Sequence, residues 1–348
     1  MSIKSFLPKI STTNQERKNS TTNQKRKNFT TNTHKPTRTA TRYEVKVRDS
    51  TAGTRLCGSW LIISLTLIFT FSSCSTISPV SSRREYPSLF KTVENILPQW
   101  QVFANGIDYC YGKISAPTLE FWALKIALYA QEIDIVVKGG ASNENQILST
   151  KVSSFVRDNN LLAGINAVPF DIVSSKEGIV IQNVGIVISN GKIIAPTNPN
   201  YDALVFYRDG KAAIVNQSAI KSIENIENAV GGFHQILNNG ESSQMAHNKE
   251  ARHPRSAAGI SQDGKYLYLV VIDGRRAGSI GATEEETALL LRCLGSWEGL
   301  NFDGGGSTAL AMRFADGKVK VVNTPIHNGI PGQERAVAGC IGVRLHGE

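Results

Sequence analysis

The sequence predicts an α+β fold: a mixed, largely antiparallel sheet with a few packed helices, in a single catalytic-type domain. Three observations predict it. Short apolar runs meet at Asn190-Gly191, Asp209-Gly210 and Asp263-Gly264, dipeptides that supply the positive φ of tight antiparallel hairpins. One segment, Thr283 to Gly295, carries both start and stop signals of a helix. Strand-length apolar runs dominate the chain between Trp122 and Val215.

The elements follow in order. Ser88–Trp100 has the period of a short amphipathic helix. Trp122–Leu128 alternates as a strand does, and Ile133–Val137 is a second apolar run, closed by Gly139-Gly140. Thr150–Asn160 reads as a helix, with Ser149 or Thr150 as its cap. Leu162–Val168 is a strand carrying Asn166, and Ile179–Ser189 runs as one strand into the Asn190-Gly191 turn. Ala203–Tyr207 and Ala212–Val215 flank the second turn; Arg255–Ser261 and Lys265–Ile272 flank the third. In the capped helix, Thr283 and Glu286 form a capping box and Gly295 stops the chain. Gly299–Phe302 returns as a strand, and Ser307–Phe314 reads as a further helix.

Charge divides the chain. Of the formal net charge of +9, residues 1–56 contribute 13 Lys/Arg against 3 acidic residues, leaving −1 for the rest. The basic character belongs to the N-terminal stretch, which excludes nucleic-acid binding by the globular part on charge grounds. That stretch holds a tandem repeat, Ser11–Asn19 followed by Ser20–Asn28, and no hydrophobic period. It reads as a disordered basic low-complexity arm or as an over-extended gene model, untranslated in the cell. Residues 57–74 read as a signal peptide. The apolar run Trp60–Phe71 is too short to span a bilayer, and Ser72-Ser73-Cys74 resembles a bacterial lipobox with Cys74 as the lipidated residue. Residues 75–85 are a tether, and residues 86–348 the folded domain. The expected location is exported, in the cell envelope, held by a lipid anchor (on the outer membrane if the cell is Gram-negative). Cys110, Cys293 and Cys340 permit at most one disulfide and match no zinc spacing.

Chemistry concentrates in three segments. Asp303-Gly304-Gly305-Gly306-Ser307 places a carboxylate and three permissive backbones at a strand end. A helix opening at Ser307 would add unpaired amides and partial positive charge, a setting suited to phosphate. His253-Pro254-Arg255 offers a titrating imidazole and a fork able to grip phosphate at two points. Asp273-Gly274-Arg275-Arg276 ends the same hairpin. A tight turn or a solvated charge is the bland reading of each segment taken alone.

Their order carries more than any one of them. HPRSAAGIS, IDGRR, GATEEETALLLRCLG and LNFDGGGSTALA, with INAVPFD and GGFHQILNNGE upstream and NTPIHNGIPGQERAVAGCIGV at the end, resemble the phosphodiester glycosidase domain across about Leu119–Val343. Ala167, in place of a glycine, and the missing hydrophobe between Gly281 and Thr283 depart from the family pattern. The resemblance implies hydrolysis of a sugar-1-phosphodiester on an envelope or exogenous glycan. It implies Asp303 and His253 as catalytic candidates. Arg255, Gly304, Gly305, Gly306, Ser307, Asn166, Asp273, Arg275 and Glu334 become candidates for holding substrate and phosphate. No cofactor is firmly implied, and a divalent metal is left open. The expected partners are a glycan or sugar-phosphodiester substrate and a membrane reached through the anchor. A non-catalytic polysaccharide-binding lipoprotein and a metal-dependent phosphodiesterase are the alternatives.

Overall fold

The computed structural model describes residues 98–140, 146–247 and 251–346. The expectations for the arm, the signal segment with Cys74, the tether and most of the Ser88–Trp100 helix lie outside these residues.

Three large sheets and one small one form the domain, every strand pair antiparallel. The eight-stranded sheet has the order β1 (Gln101–Ala104), β2 (Ile107–Ser115), β3 (Thr118–Ala127), β16 (Tyr266–Ile272), β15 (Arg255–Ile260), β17 (Glu298–Asn301), β13 (Gln235–Asn238), β14 (Glu241–Ser242). A second sheet runs β11 (Ala212–Asn216), β10 (Asp202–Tyr207), β12 (Ile226–Gly231), β8 (Val187–Ser189), β9 (Lys192–Ala195). A third runs β19 (Val319–Val321), β18 (Leu310–Arg313), β6 (Ala163–Asn166), β20 (Cys340–Leu345), β4 (Ile133–Val137). β5 (Gln146–Leu148) and β7 (Val180–Gln182) pair separately.

Period-2 alternation explains how the layers stack. In β16, Leu267, Leu269 and Val271 enter a central core shared by all three large sheets. Their neighbours Tyr268, Val270 and Ile272 face the other way, under helix α3 (Glu284–Leu294) and its Ala288, Leu290, Leu291 and Leu294. Helix α1 (Val152–Asp158) covers the third sheet with Val152, Phe155 and Val156. A single turn, α2 (Gln244–His247), is the remaining α-helix among the described residues.

Most strands fall where the alternation puts them, and α3 has the full capping box with Gly295 at φ 115°. Four expectations need correction. The fold is largely β, so the α+β label overstates the helices. Ile179–Ser189 is two strands, split where Gly185 turns at φ 124°. Helix α1 takes no cap from Ser149 or Thr150; instead Glu177 and Glu334, remote in sequence, accept from the Lys151 and Ser153 amides. Ser307–Phe314 is not a helix: Gly305–Ser307 makes one 3₁₀ turn, and β18 follows. Leu310 and Met312 enter the central core while Ala311 meets α1, so pairing with β6 and β19 selects the two-residue period. No disulfide joins Cys110, Cys293 and Cys340 to one another.

The capping box makes a simple test of how firmly α3 is held. Thr283→Ala removes the acceptor for the Glu286 amide and should cost about 1 kcal/mol, read as a lower midpoint in urea unfolding with unchanged slope.

Candidate active site

The start of β15, the ends of β16 and β17 and the loops joined to them there enclose a cavity of about 230 Å³. Its wall includes Phe233, His253, Arg255, Arg275, Asn301 and Arg335, together with Glu284 and the Gly304–Gly306 backbone.

The glycine loop is fixed first. Asn166, buried on β6, donates its side-chain amide to the Asp303 carbonyl at 2.6 Å and accepts from Ser256 Oγ at 2.6 Å and the Ala309 amide at 3.2 Å. The Asp303 amide donates to the Ala167 carbonyl, and the Gly305 amide to Pro254. Glycine is required at two points. A Cβ on Gly304 would lie 2.7 Å from the Pro254 carbonyl oxygen. Gly305 takes φ 62°, and a Cβ there would come within 3.1 Å of the Arg275 guanidinium. The Gly305 amide is thus used, and Gly304's serves the Asp303 carboxylate. No partner occurs among the described residues for the Gly306 amide.

Burial pushes the Asp303 carboxyl up to about 6; the Ser307 hydroxyl, the Arg335 charge and the Gly304 amide oppose the shift. Part of its surface reaches solvent, yet its surroundings are densely packed, and the packing sets the direction. His253 sits with Nδ1 3.3 Å from Arg275, and desolvation plus the Arg255 and Arg275 charges lower its pKa. It is therefore mainly neutral at pH 7.

The three cavity arginines differ. Arg255 is buried and engaged: its Nε donates to the Ala282 carbonyl at 3.0 Å, and Nη1 lies 3.4 Å from Glu284. Its fork is occupied by protein, so the two-point phosphate grip expected of it is not open. Arg275, at φ 58°, directs its guanidinium toward His253 and over Gly305. Arg335 donates to the buried His327 ring at 3.1 Å and to Ser307 Oγ at 3.2 Å. Among the described residues, neither Arg275 nor Arg335 has a carboxylate partner within salt-bridge distance. Glu284 offsets Arg255, so the site carries two cations against Asp303.

Asp303 itself sits behind the wall, next to the lining residues Phe302 and Gly304, and the remaining candidates also lie off the wall. Asn166 and Ser307 support the loop from beneath it. Asp273 is buried and takes Arg276, Asn323 and the Thr324 amide; burial raises its pKa while these contacts oppose. Arg276 turns with it toward Glu120. Glu334 reaches Ser153 at the start of α1. Its neighbour Arg335 faces the cavity; it lies in the closing segment that resembles the family but was not itself a candidate from the sequence. His327, Phe233 and Asn301 are further residues not nominated from the sequence. Among the described residues no cluster of three or more His, Cys, Asp or Glu is arranged to hold a metal.

Fold and cavity together define a largely antiparallel β domain with a small cavity, lined by arginines and a glycine loop, at one end of the β15–β16 hairpin. A sequence model of the phosphodiester glycosidase family matches residues 159–344, more than half of the chain, and the chain belongs to that family. Solved structures that share the fold include the following two. The catalytic domain of zebrafish N-acetylglucosamine-1-phosphodiester alpha-N-acetylglucosaminidase aligns with TM-score 0.54 and 18% identity, over 68% of this chain and 82% of that one. A hypothetical protein from Synechocystis aligns with TM-score 0.52 and 15% identity, over 72% of this chain and 64% of that one, so the chain spans less than two thirds of its length. No curated protein sequence matches.

The raised Asp303 pKa makes a stability prediction that needs no substrate. Between the unfolded pKa of about 3.9 and the folded value of about 6, the native state binds more proton, so this group's contribution to stability falls as pH rises through that window. Asp303→Asn should therefore gain in Tm relative to the parent chain on going from pH 4 to pH 7. The same Tm difference at both pH values would contradict the shift.

Proposed function

We propose that the chain hydrolyses a sugar-1-phosphodiester at the glycosidic C–O bond: sugar–O–PO₂⁻–O–R and water give the free sugar and the phosphomonoester of R. The carrying observation is the pair of guanidinium groups, Arg275 and Arg335, that have no carboxylate within salt-bridge distance among the described residues and flank the Gly305–Gly306 backbone beside Asp303.

In this reading the non-bridging phosphate oxygens meet Arg275, Arg335 and the Gly306 amide. As the C–O bond breaks, the leaving phosphate gains a second negative charge, and cations already in place favour that charge over the ground state. Phosphate leaves readily without a strong general acid. Asp303 serves as the carboxylate near the anomeric carbon, stabilising positive charge on the ring and orienting water. Neutral His253 orients Arg275 and accepts a proton from water or product. Phe233, on the cavity wall, offers an apolar face to the sugar. The apolar run before Cys74 supports an exported, lipid-anchored location, and with it an envelope or exogenous glycan as substrate.

Hydrolysis in heavy-oxygen water tests the bond cleaved. The label should enter the sugar at C1; label in the phosphomonoester would contradict the proposal. Arg335→Ala should lower kcat/KM on the same substrate by about 10²–10³. If Asp303 acts ionised, kcat/KM should fall as pH drops through about 6, and Asp303→Asn should abolish activity across the range.

A further inference from the structure

A groove of about 920 Å³, four times the volume of the candidate active site, opens at the opposite end of the β15–β16 hairpin. Arg255 and Arg275 mark one end of that hairpin, and its Asp263-Gly264 turn lines the groove at the other. Six strand residues at about 3.3 Å each separate the two sites by roughly 20 Å.

The floor of the groove is the exposed edge of the central core, with Leu128, Ile133, Phe206 and Ala212. Tyr129 stands on its wall, 62% exposed, and its ring is steadied edge-on by Tyr266 at 5.7 Å. Tyr207 is half-buried nearby. Two Asp-Gly-Lys turns, at 209–211 and 263–265, form parts of the rim. In each, the aspartate accepts from the lysine amide at 3.1 Å and pairs with the lysine ammonium. Arg208 pairs with Glu227 and Asp134 with Arg344, both at 2.7 Å.

We propose that this groove is a second, non-catalytic site for a neutral glycan chain. An apolar floor with an exposed tyrosine takes the C–H face of a pyranose ring, as aromatic side chains do when one side is apolar and the other wet. The rim pairs and turn backbones offer donors and acceptors to hydroxyl groups. Among the described residues, every Asp, Glu, Lys and Arg on the rim has a partner of opposite charge within the fold, and His346 is the one other titratable group of basic character, so these side chains offer an ionic ligand no unmatched carboxylate, ammonium or guanidinium. The proposal concerns binding alone and stands apart from the reaction assigned to the other end of the molecule.

Affinity electrophoresis of the full-length chain tests it, in gels cast with dextran, starch, mannan or xylan, with alginate as an anionic glycan and with gelatin as an extended polypeptide. Retardation is expected in at least one neutral polysaccharide and not in gelatin; alginate, a polyanion that the basic N-terminal stretch attracts in any case, should retard the parent chain and Tyr129→Ala equally. Tyr129→Ala should weaken the apparent affinity about tenfold, Tyr129→Trp should retain it, and Arg275→Ala should leave it unchanged. Three outcomes would overturn the proposal: no retardation by any neutral polysaccharide, retardation by gelatin or a Tyr129-dependent retardation by alginate instead, or retardation by the neutral polysaccharide that survives Tyr129→Ala or is lost in Arg275→Ala.

Discussion

The side-chain amide of Asn166 ties two sheets to the loop that bears Asp303. Asn166 belongs to β6, in the third sheet, and it holds Ser256 on β15 and the Asp303 carbonyl beyond β17, both from the eight-stranded sheet. It also receives the amide of Ala309, just before β18. One buried carboxamide thus spends its donors and acceptors across the sheet–sheet boundary, where the polar ends of three strands would otherwise lie unpaired. The glycine loop can then run close to Pro254 and present its edge to the cavity.

The same rigidity sets the electrostatics. A loop pinned among buried strands keeps Asp303 in densely packed surroundings, and packing rather than a neighbouring anion raises its pKa. Arg335 and the Ser307 hydroxyl pull it back only part of the way. The arginines divide by the same logic. Arg255, deep beside α3, is neutralised by Glu284 at the helix start. Arg275 and Arg335 stand where the fold supplies no carboxylate partner among the described residues. A cation of that kind, at the mouth of a small cavity, favours an anion from outside.

Much of this was legible in the sequence. The Asp-Gly and Asn-Gly turns located three hairpins because their geometry is set locally, and the capping box located α3 for the same reason. The order of the HPR, DGR and DGGGS segments brought the correct strand ends together. What failed was decided at a distance. Ser307–Phe314 has no local feature strong enough to choose between helix and strand, and pairing with β6 chose. Whether Glu334 or Arg335 faces the cavity depends on which side of an extended segment packs on α1, and adjacency in sequence is silent on that. Arg255 read as a phosphate ligand because its partner, Glu284, lies 29 residues away and meets it only through the fold.

The central claim is that an anion binds between Arg275, Arg335 and the glycine loop. Calorimetric titration of inorganic phosphate into the full-length chain tests it most directly. The account predicts saturable binding that weakens at least about tenfold in both Arg275→Ala and Arg335→Ala. Binding of equal strength in the parent chain and both variants would contradict it.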